Sequence, residues 1–292
     1  MMADYLVREL AKKAGVRGLA CITTDLANEV VTQQGATPPA AALIAETMTG
    51  TALLGALLKI QHRIAVKYEG NGPAKRVLVE ADAYGRLRGY IANPNIKKMA
   101  TEALYNTGVT LGSAGLLTVV KDIKLKELAE SVVPMGGSPI DAELTLYLSQ
   151  SEQIPSLVSI GYHIGEDGKV EVAGGLLLQA VPPYDQNIMA QMANKLEELP
   201  PMTELLRSGK TPEEILALVF EGVESIELEK RDLLFHCDCS RERTEKAILA
   251  LGRGEVENLI ETVGEAEVDC QYCQESFYFS KEDLEDLLVE LV

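Results

Sequence analysis

The sequence predicts an α+β fold: a mostly antiparallel N-terminal sheet with packed helices, then a helical linker, then a small C-terminal domain around four cysteines. Apolar alternation broken by short turns runs from Gly18 to about Pro182, which is strand texture. From Asp185 to about Lys230 the texture is helical, with proline breaks and no strand alternation until the last few positions, and four of the five cysteines fall in the last 56 residues. The domains these features imply are 1–183, 184–230 and 231–292. With 292 residues, 47% of them hydrophobic and 24% charged, the chain has the composition of a folded protein rather than a disordered one.

Residues 18–33 read as a strand pair, since apolar positions in LACITT and NEVVTQQ flank the polar Asp25. Thr37-Pro38-Pro39 then opens a helix: a capping threonine, with proline where its missing N–H does no harm. That helix, AAALIAETMTGTALLGALLK, is apolar nearly all round and is expected between other elements; its uncharged stretch 47–58 is too short to span a bilayer. RIAVKYEG follows, then RVLVEADAYGRLRGYIANP, where Tyr84-Gly85 is the turn of an antiparallel hairpin. Residues 114–121 and 170–181 add strands, and 141–153 carries Leu144, Tyr147 and Leu148 at helical spacing. The uncharged run 103–120 is broken by Asn106, Gly108, Gly112 and Gly115, which read as turns, so no membrane helix is expected. The N-terminus has no apolar stretch ending at a small-residue cleavage site, and a reducing cytoplasm is the expected compartment.

Beyond Pro182-Pro183, Ile188, Met189, Met192 and Leu196 repeat at helical spacing. Thr211-Pro212-Glu213-Glu214 is a capping box that starts a second helix, whose Ile215, Leu218, Val219 and Val223 form one stripe. The segment is an amphipathic linker, and its apolar face has to be covered by something. Residues 231–292 hold 6 basic and 16 acidic side chains, so that small unit has little core of its own to stabilise it. The whole chain, with 27 basic and 44 acidic residues, carries a net charge of −17, which excludes binding to nucleic-acid backbones and anionic membrane surfaces by charge neutralisation.

Cys237-Asp238-Cys239 is followed, after thirty intervening residues, by Cys270-Gln271-Tyr272-Cys273. Four thiolates from two local pairs close a tetrahedral shell around a soft divalent ion, and in a cytoplasm that ion is zinc. The first pair is C-x-C where ordinary zinc ribbons have C-x-x-C. A shell of four cysteines leaves no open position for catalysis, so the plain reading is a structural staple. Energetics carry the argument further: structural zinc contributes about 10–16 kcal/mol, as much as the roughly 5–15 kcal/mol stability of an entire domain. Without metal this acidic unit is expected to unfold. Zinc-bound sulfur is also what peroxide or hypochlorous acid attacks, and each pair offers a second sulfur to capture a sulfenic acid.

Elsewhere the chemistry is sparse. Cys21 lies in a β-like apolar run and reads as a small buried hydrophobe. His62 and His163 read as structural, and His236 abuts the first pair, where four cysteines already complete the shell. There is no G-x-S-x-G, P-loop or G-x-G-x-x-G, the deaminase signature is missing, and Cys270 and Cys273 lie too near the chain end for a thioredoxin-like site, so no enzyme is expected. Three readings stay open on the residues: a metal-gated client-binding switch, a constitutive zinc-ribbon adaptor, and a dithiol oxidoreductase. Client binding only after oxidation separates the first from the second, and catalysis of insulin reduction would mark the third.

The segment FHCDCSRERTEKAILALG, the thirty-residue gap and the C-x-x-C pair resemble the zinc-binding end of the redox-regulated thirty-three-kilodalton heat-shock chaperone family. VEADAYGRLRGYIANP at 79–94, GSAGLLTVVKD at 112–122, YLSQSEQIPS at 147–156 and AGGLLLQAVPP at 173–183 extend the resemblance over the whole chain. It implies zinc ligands at Cys237, Cys239, Cys270 and Cys273, one ion per chain in the reduced state. It further implies an ATP-independent holdase that is inactive when reduced. Oxidation would form disulfides Cys237–Cys239 and Cys270–Cys273, release zinc, unfold the C-terminal region and allow unfolding client proteins to bind. The resemblance also implies a homodimer on activation and transfer of clients to ATP-dependent refolding chaperones. Ile188, Met189, Met192, Leu196, Leu205, Leu206, Ile215, Leu218, Val219 and Phe220 are the expected client-binding face.

Overall fold

Residues 3–97 and 106–290 are described by the computed structural model, in which the chain forms two compact units, Met1–His236 and Cys237–Val292. The larger unit is organised by two sheets. The first contains β1 (Tyr5–Ala11), β2 (Val16–Ile22), β8 (Ser156–Ile164), β9 (Val170–Ala180) and β10 (Ile226–Asp232), antiparallel throughout in the order β10-β1-β2-β9-β8. The second contains β3 (Arg63–Gly70), β4 (Arg76–Asp82), β5 (Arg86–Ile91), β6 (Gly115–Asp122), β7 (Ala129–Met135) and β11 (Leu234–Phe235), in the order β11-β5-β4-β3-β6-β7. Only the β11–β5 pairing in it is parallel.

The helix with no polar face explains the layering. After α1 (Thr24–Gln34), α2 (Pro38–Gly55) is buried from Pro39 to Gly55 because it lies between the sheets. Leu19 and Leu177 from the first sheet, Val66, Val79 and Leu87 from the second, and Met48 and Leu53 from α2 belong to one continuous core. After the short α3 (Thr107–Thr110), α4 (Ile140–Gln150) adds Leu144, Tyr147 and Leu148 to that core, the spacing the sequence predicts. Among the described residues no helix is long and apolar enough to cross a membrane.

The predicted strand pair at 18–33 is instead β2 followed by α1. Leu26, Ala27, Val30 and Val31 are buried together at helical spacing, which no strand allows because adjacent Val30 and Val31 would point to opposite faces. Thr37 does stand before Pro38, but its hydroxyl donates to the carbonyls of Pro94 and Ile96, both at 2.9 Å, rather than capping α2. Of the predicted turns in 103–120, Gly108 lies within α3 and Gly115 starts β6, while 103–105 lies outside the described residues. The second unit begins at Cys237 rather than 231, because β10 pairs with β1 and β11 pairs with β5, so 231–236 completes the sheets of the first unit.

The linker forms α5 (Gln186–Glu198), α6 (Met202–Arg207) and α7 (Pro212–Val219). Its apolar face is covered by the outer face of the first sheet: Met192, Met202, Leu206, Ile215, Leu216, Val219 and Phe220 share a core with Val7, Ala20, Leu176 and Leu178. The predicted capping box is present, with Thr211 Oγ1 accepting from Glu214 N at 3.2 Å and Glu214 Oε2 accepting from Thr211 N at 2.9 Å. Glu213, in the first turn of α7, accepts from the Tyr5 hydroxyl at 2.7 Å and from Lys230 Nζ at 2.8 Å, tying α7 to β1 and β10. Burial pushes that carboxyl up, but Lys230 and Tyr5 outweigh it and hold the pKa at about 2.

Two glycines make the seat for these helices. A Cβ on Gly161 of β8 would lie 2.6 Å from the Met202 carbonyl carbon and closer still to Thr203 N, so α6 rests on bare backbone. A Cβ on Gly18 of β2 would lie 2.7 Å from both Leu216 Cδ2 and Phe220 Cε2.

Candidate metal centre

Unit Cys237–Val292 is built from α8 (Arg241–Leu249), α9 (Arg253–Thr262), the hairpin β12 (Ala266–Asp269) and β13 (Ser276–Phe279), and α10 (Lys281–Glu290). Its buried core among the described residues is small: Ile248, Val256, Phe279, Leu284 and Leu287. Arg241 helps to close it, lying 4.3 Å over the Phe279 ring, donating to the Tyr278 carbonyl at 2.6 Å and pairing with Asp283 at 2.9 Å.

Local chain geometry presents the sulfurs. Cys237 and Cys239 immediately precede Ser240, the N-cap of α8, whose hydroxyl accepts from Arg243 N at 3.3 Å, so the first pair sits at the positive end of a helix. Cys270 and Cys273 occupy the β12–β13 turn, which is closed by Cys270 N to Glu275 O and Gln274 N to Cys270 O, both 2.9 Å. The four Sγ atoms all lie within 4.8 Å of one another. Cys237 and Cys270 approach to 3.6 Å, and Cys239 and Cys273 to 3.3 Å. A tetrahedral shell with zinc–sulfur bonds of about 2.3 Å has sulfur–sulfur edges of about 3.8 Å, so the donor set fits a soft divalent ion.

Electrostatics say the same. Burial and the neighbouring sulfurs of Cys273 and Cys237 push the Cys239 thiol up, and burial pushes Cys273 up. At Cys270 burial acts in the same direction, but the backbone amides of Cys273 and Tyr272 outweigh it and lower the thiol. Four sulfurs this close cannot all ionise without a cation, and the site therefore holds a metal or holds protons.

All four predicted ligands are thus brought together. His236 stays outside the sulfur group; its backbone N–H donates to Leu87 O at 2.8 Å in the larger unit. His163 lies 3.7 Å from Glu171 on the β8–β9 hairpin, remote in sequence from every cysteine of the cluster. Cys21 is fully buried, and that burial raises its thiol. Of the expected client-binding residues, Met192, Leu205, Leu206, Ile215, Val219 and Phe220 are buried, and Ile188, Met189, Leu196 and Leu218 are half-buried. Leu216, absent from the predicted stripe, is fully buried, whereas Leu218 and Val223 are left half-exposed. The amphipathic pattern located that face, but only the sheet that covers it fixes which leucine points inward.

Comparison with known proteins adds a lineage. Residues 4–280 match the family model described as Hsp33 protein. The 33 kDa chaperonin of Geobacter sulfurreducens is 42% identical over 287 residues, 98% of this chain and 95% of that protein. The 33 kDa chaperonin of Bacillus subtilis is 38% identical over 285 residues, 97% of this chain and 98% of that protein. The crystal structure of the 33 kDa chaperonin (heat shock protein 33 homolog) from Thermotoga maritima matches with a TM-score of 0.89 at 28% identity, covering 99% of each chain.

Proposed function

The chain belongs to the Hsp33 family, and from that membership we propose that it is a redox-gated, ATP-independent holdase of the cytoplasm. The observation that carries the reading is a four-sulfur cluster in a unit that, among the described residues, fully buries five apolar side chains. Cys237, Cys239, Cys270 and Cys273 would hold one zinc ion in the reduced state. Bound there, zinc would keep four thiolates together at neutral pH and supply folding free energy of about 10–16 kcal/mol.

Oxidation removes the donors. Each pair of thiolates gives up two electrons to one peroxide, which takes two protons and leaves as water, and a sulfur–sulfur bond forms. Pairing within Cys237–Cys239 and Cys270–Cys273 is the part of the proposal that rests on family membership; every sulfur is within 4.8 Å of the others, so proximity alone favours no pair. With the cluster gone, the five-residue core is too small to keep the unit folded.

The chain itself supports a route from there to the linker. Cys237 directly follows β11 and His236, and β10 is the edge strand of the first sheet. Fraying backward from Cys237 would release β11, then β10, and with β10 the Lys230–Glu213 tie to α7. The linker helices would then leave the sheet, and the ten residues from Ile188 to Phe220, together with Val7, Ala20, Leu176 and Leu178 beneath them, would become the client-binding surface. Dimerisation on activation and transfer of clients to ATP-dependent chaperones complete the proposal, which includes no enzymatic step. Peptide mapping of the peroxide-treated chain, with released zinc counted in the same sample, tests it. Two intra-pair disulfides and one zinc released per chain are expected, and oxidised protein that keeps its zinc would sink the proposal.

A further inference from the structure

Where β1, β2 and β10 run side by side, the inner face of the first sheet carries three arginines: Arg8, Arg17 and Arg231. They are poorly balanced. Glu229 is a single carboxylate shared by two of them, accepting from Arg8 Nη2 on one oxygen and from Arg231 Nε and Nη2 on the other. Arg17 is met by a neutral amide, donating Nε to Gln179 Oε1 at 3.0 Å and Nη2 to the same oxygen. Gln179 in turn donates to Ser156 Oγ at 3.0 Å. Asp82, which also acts on Arg231, is already engaged by Arg86 at 2.6 Å. Burial and mutual repulsion lower the guanidinium of Arg8, with Arg231 as the repelling neighbour, and that of Arg17, with Arg8 in that role.

Within this group Arg8 Nε is buried with no hydrogen-bond partner. A buried unmade donor costs about 1–3 kcal/mol, and three guanidiniums against one shared carboxylate leave an excess charge near two. The cluster is nonetheless reachable, since the Arg8 and Arg231 side chains are 22% and 16% exposed. In a chain of net charge −17, a concentrated positive excess with an orphaned donor asks for an anion. Guanidinium forks match the oxygens of a phosphoryl group, and a divalent phosphate balances the excess.

We propose that Arg8, Arg17 and Arg231 form a binding site for a phosphate-type oxyanion, either free phosphate or the end of a phosphate chain. A bound anion bridges β10 to β1 and β2, and so fastens the edge strand that leads to Cys237. The site does not depend on the redox reading and is tested separately from it.

The experiment is thermal unfolding and titration calorimetry of the reduced, zinc-loaded full chain with inorganic phosphate or tripolyphosphate, against sodium chloride at matched ionic strength. The unfolding transition is expected to rise saturably, by about 3 °C at ten times the dissociation constant, with chloride inert. Tighter binding of tripolyphosphate assigns the site to a phosphate chain, and equal binding assigns it to the free ion. Arg17→Met is expected to weaken binding at least tenfold. Gln179→Glu provides a second variant that fills the cluster with an internal carboxylate; it is expected to raise stability and abolish anion binding. A chloride control that reproduces the shift, or a Gln179→Glu variant that binds like the native chain, overturns the proposal.

Discussion

Substituting Gly161 with alanine is expected to loosen the linker from its sheet while leaving the cysteine unit untouched. The added methyl would lie 2.6 Å from the Met202 carbonyl carbon, where ordinary contact begins at 3.4 Å, and the obstacle is backbone that no rotamer change can clear. Helix α6 must therefore retreat by about 1 Å, and a gap of that size forfeits roughly a quarter to a half of each contact it opens. Met202, Leu205 and Leu206 are the buried side chains of α6, each contributing about 1.5–3 kcal/mol when fully buried. The loss comes to about 2 kcal/mol, a roughly thirtyfold shift toward the undocked linker. Limited proteolysis and hydrophobic-dye binding of the reduced, zinc-loaded protein read that shift, with Gly136→Ala, where the methyl meets nothing within 4 Å, as the control. Faster cleavage between Gln186 and Val219 and partial client holding without oxidant are expected. Reduced Gly161→Ala that resists protease and dye as well as the control would refute the idea that close docking on a glycine seat keeps the linker closed.

Chelation of the metal from reduced protein is expected to remove the circular-dichroism signal of α8–α10 and to loosen β10, β11 and the linker helices, while the core around α2 keeps its cooperative transition; loss of that core together with the cysteine unit would contradict the division into two bodies. Asp4 accepts from Leu26 N at 2.7 Å at the start of α1, and burial raises its carboxyl pKa to about 6. A folded-state pKa raised above the unfolded value adds stability that is complete below about pH 4 and lost as pH rises through 6, about 3 kcal/mol in all, so Asp4→Asn should flatten the stability profile in that window. Cys21, fully buried with its thiol raised, is expected to resist alkylation at pH 8 until the larger unit unfolds; labelling of folded protein at Cys21, read by mass spectrometry, would contradict its burial.

The four-cysteine cluster was legible because its information is local: each pair of cysteines sits within four residues, and only the thirty-residue gap has to fold back. The capping box at Thr211 was legible for the same reason. What escaped was set by partners distant in sequence. Val30 and Val31 look like strand residues until α2 and the sheets select one helical face. β10 reads as the tail of a polar linker because Ile226 and Leu228 stay exposed, and only β1, more than two hundred residues earlier, makes it a strand. Gly18 and Gly161 look like ordinary strand glycines; their role appears only when α6 and α7 are laid on top of them.

Redox gating is decided by light scattering of a denaturing client, with the protein present either reduced and zinc-loaded or peroxide-treated at raised temperature, and zinc release followed in the same samples. Suppression of aggregation is expected to begin only as zinc is released. Equal suppression in both states with zinc retained would contradict the gating, reduce the four cysteines to a structural staple, and leave a constitutive zinc-ribbon adaptor as the better description.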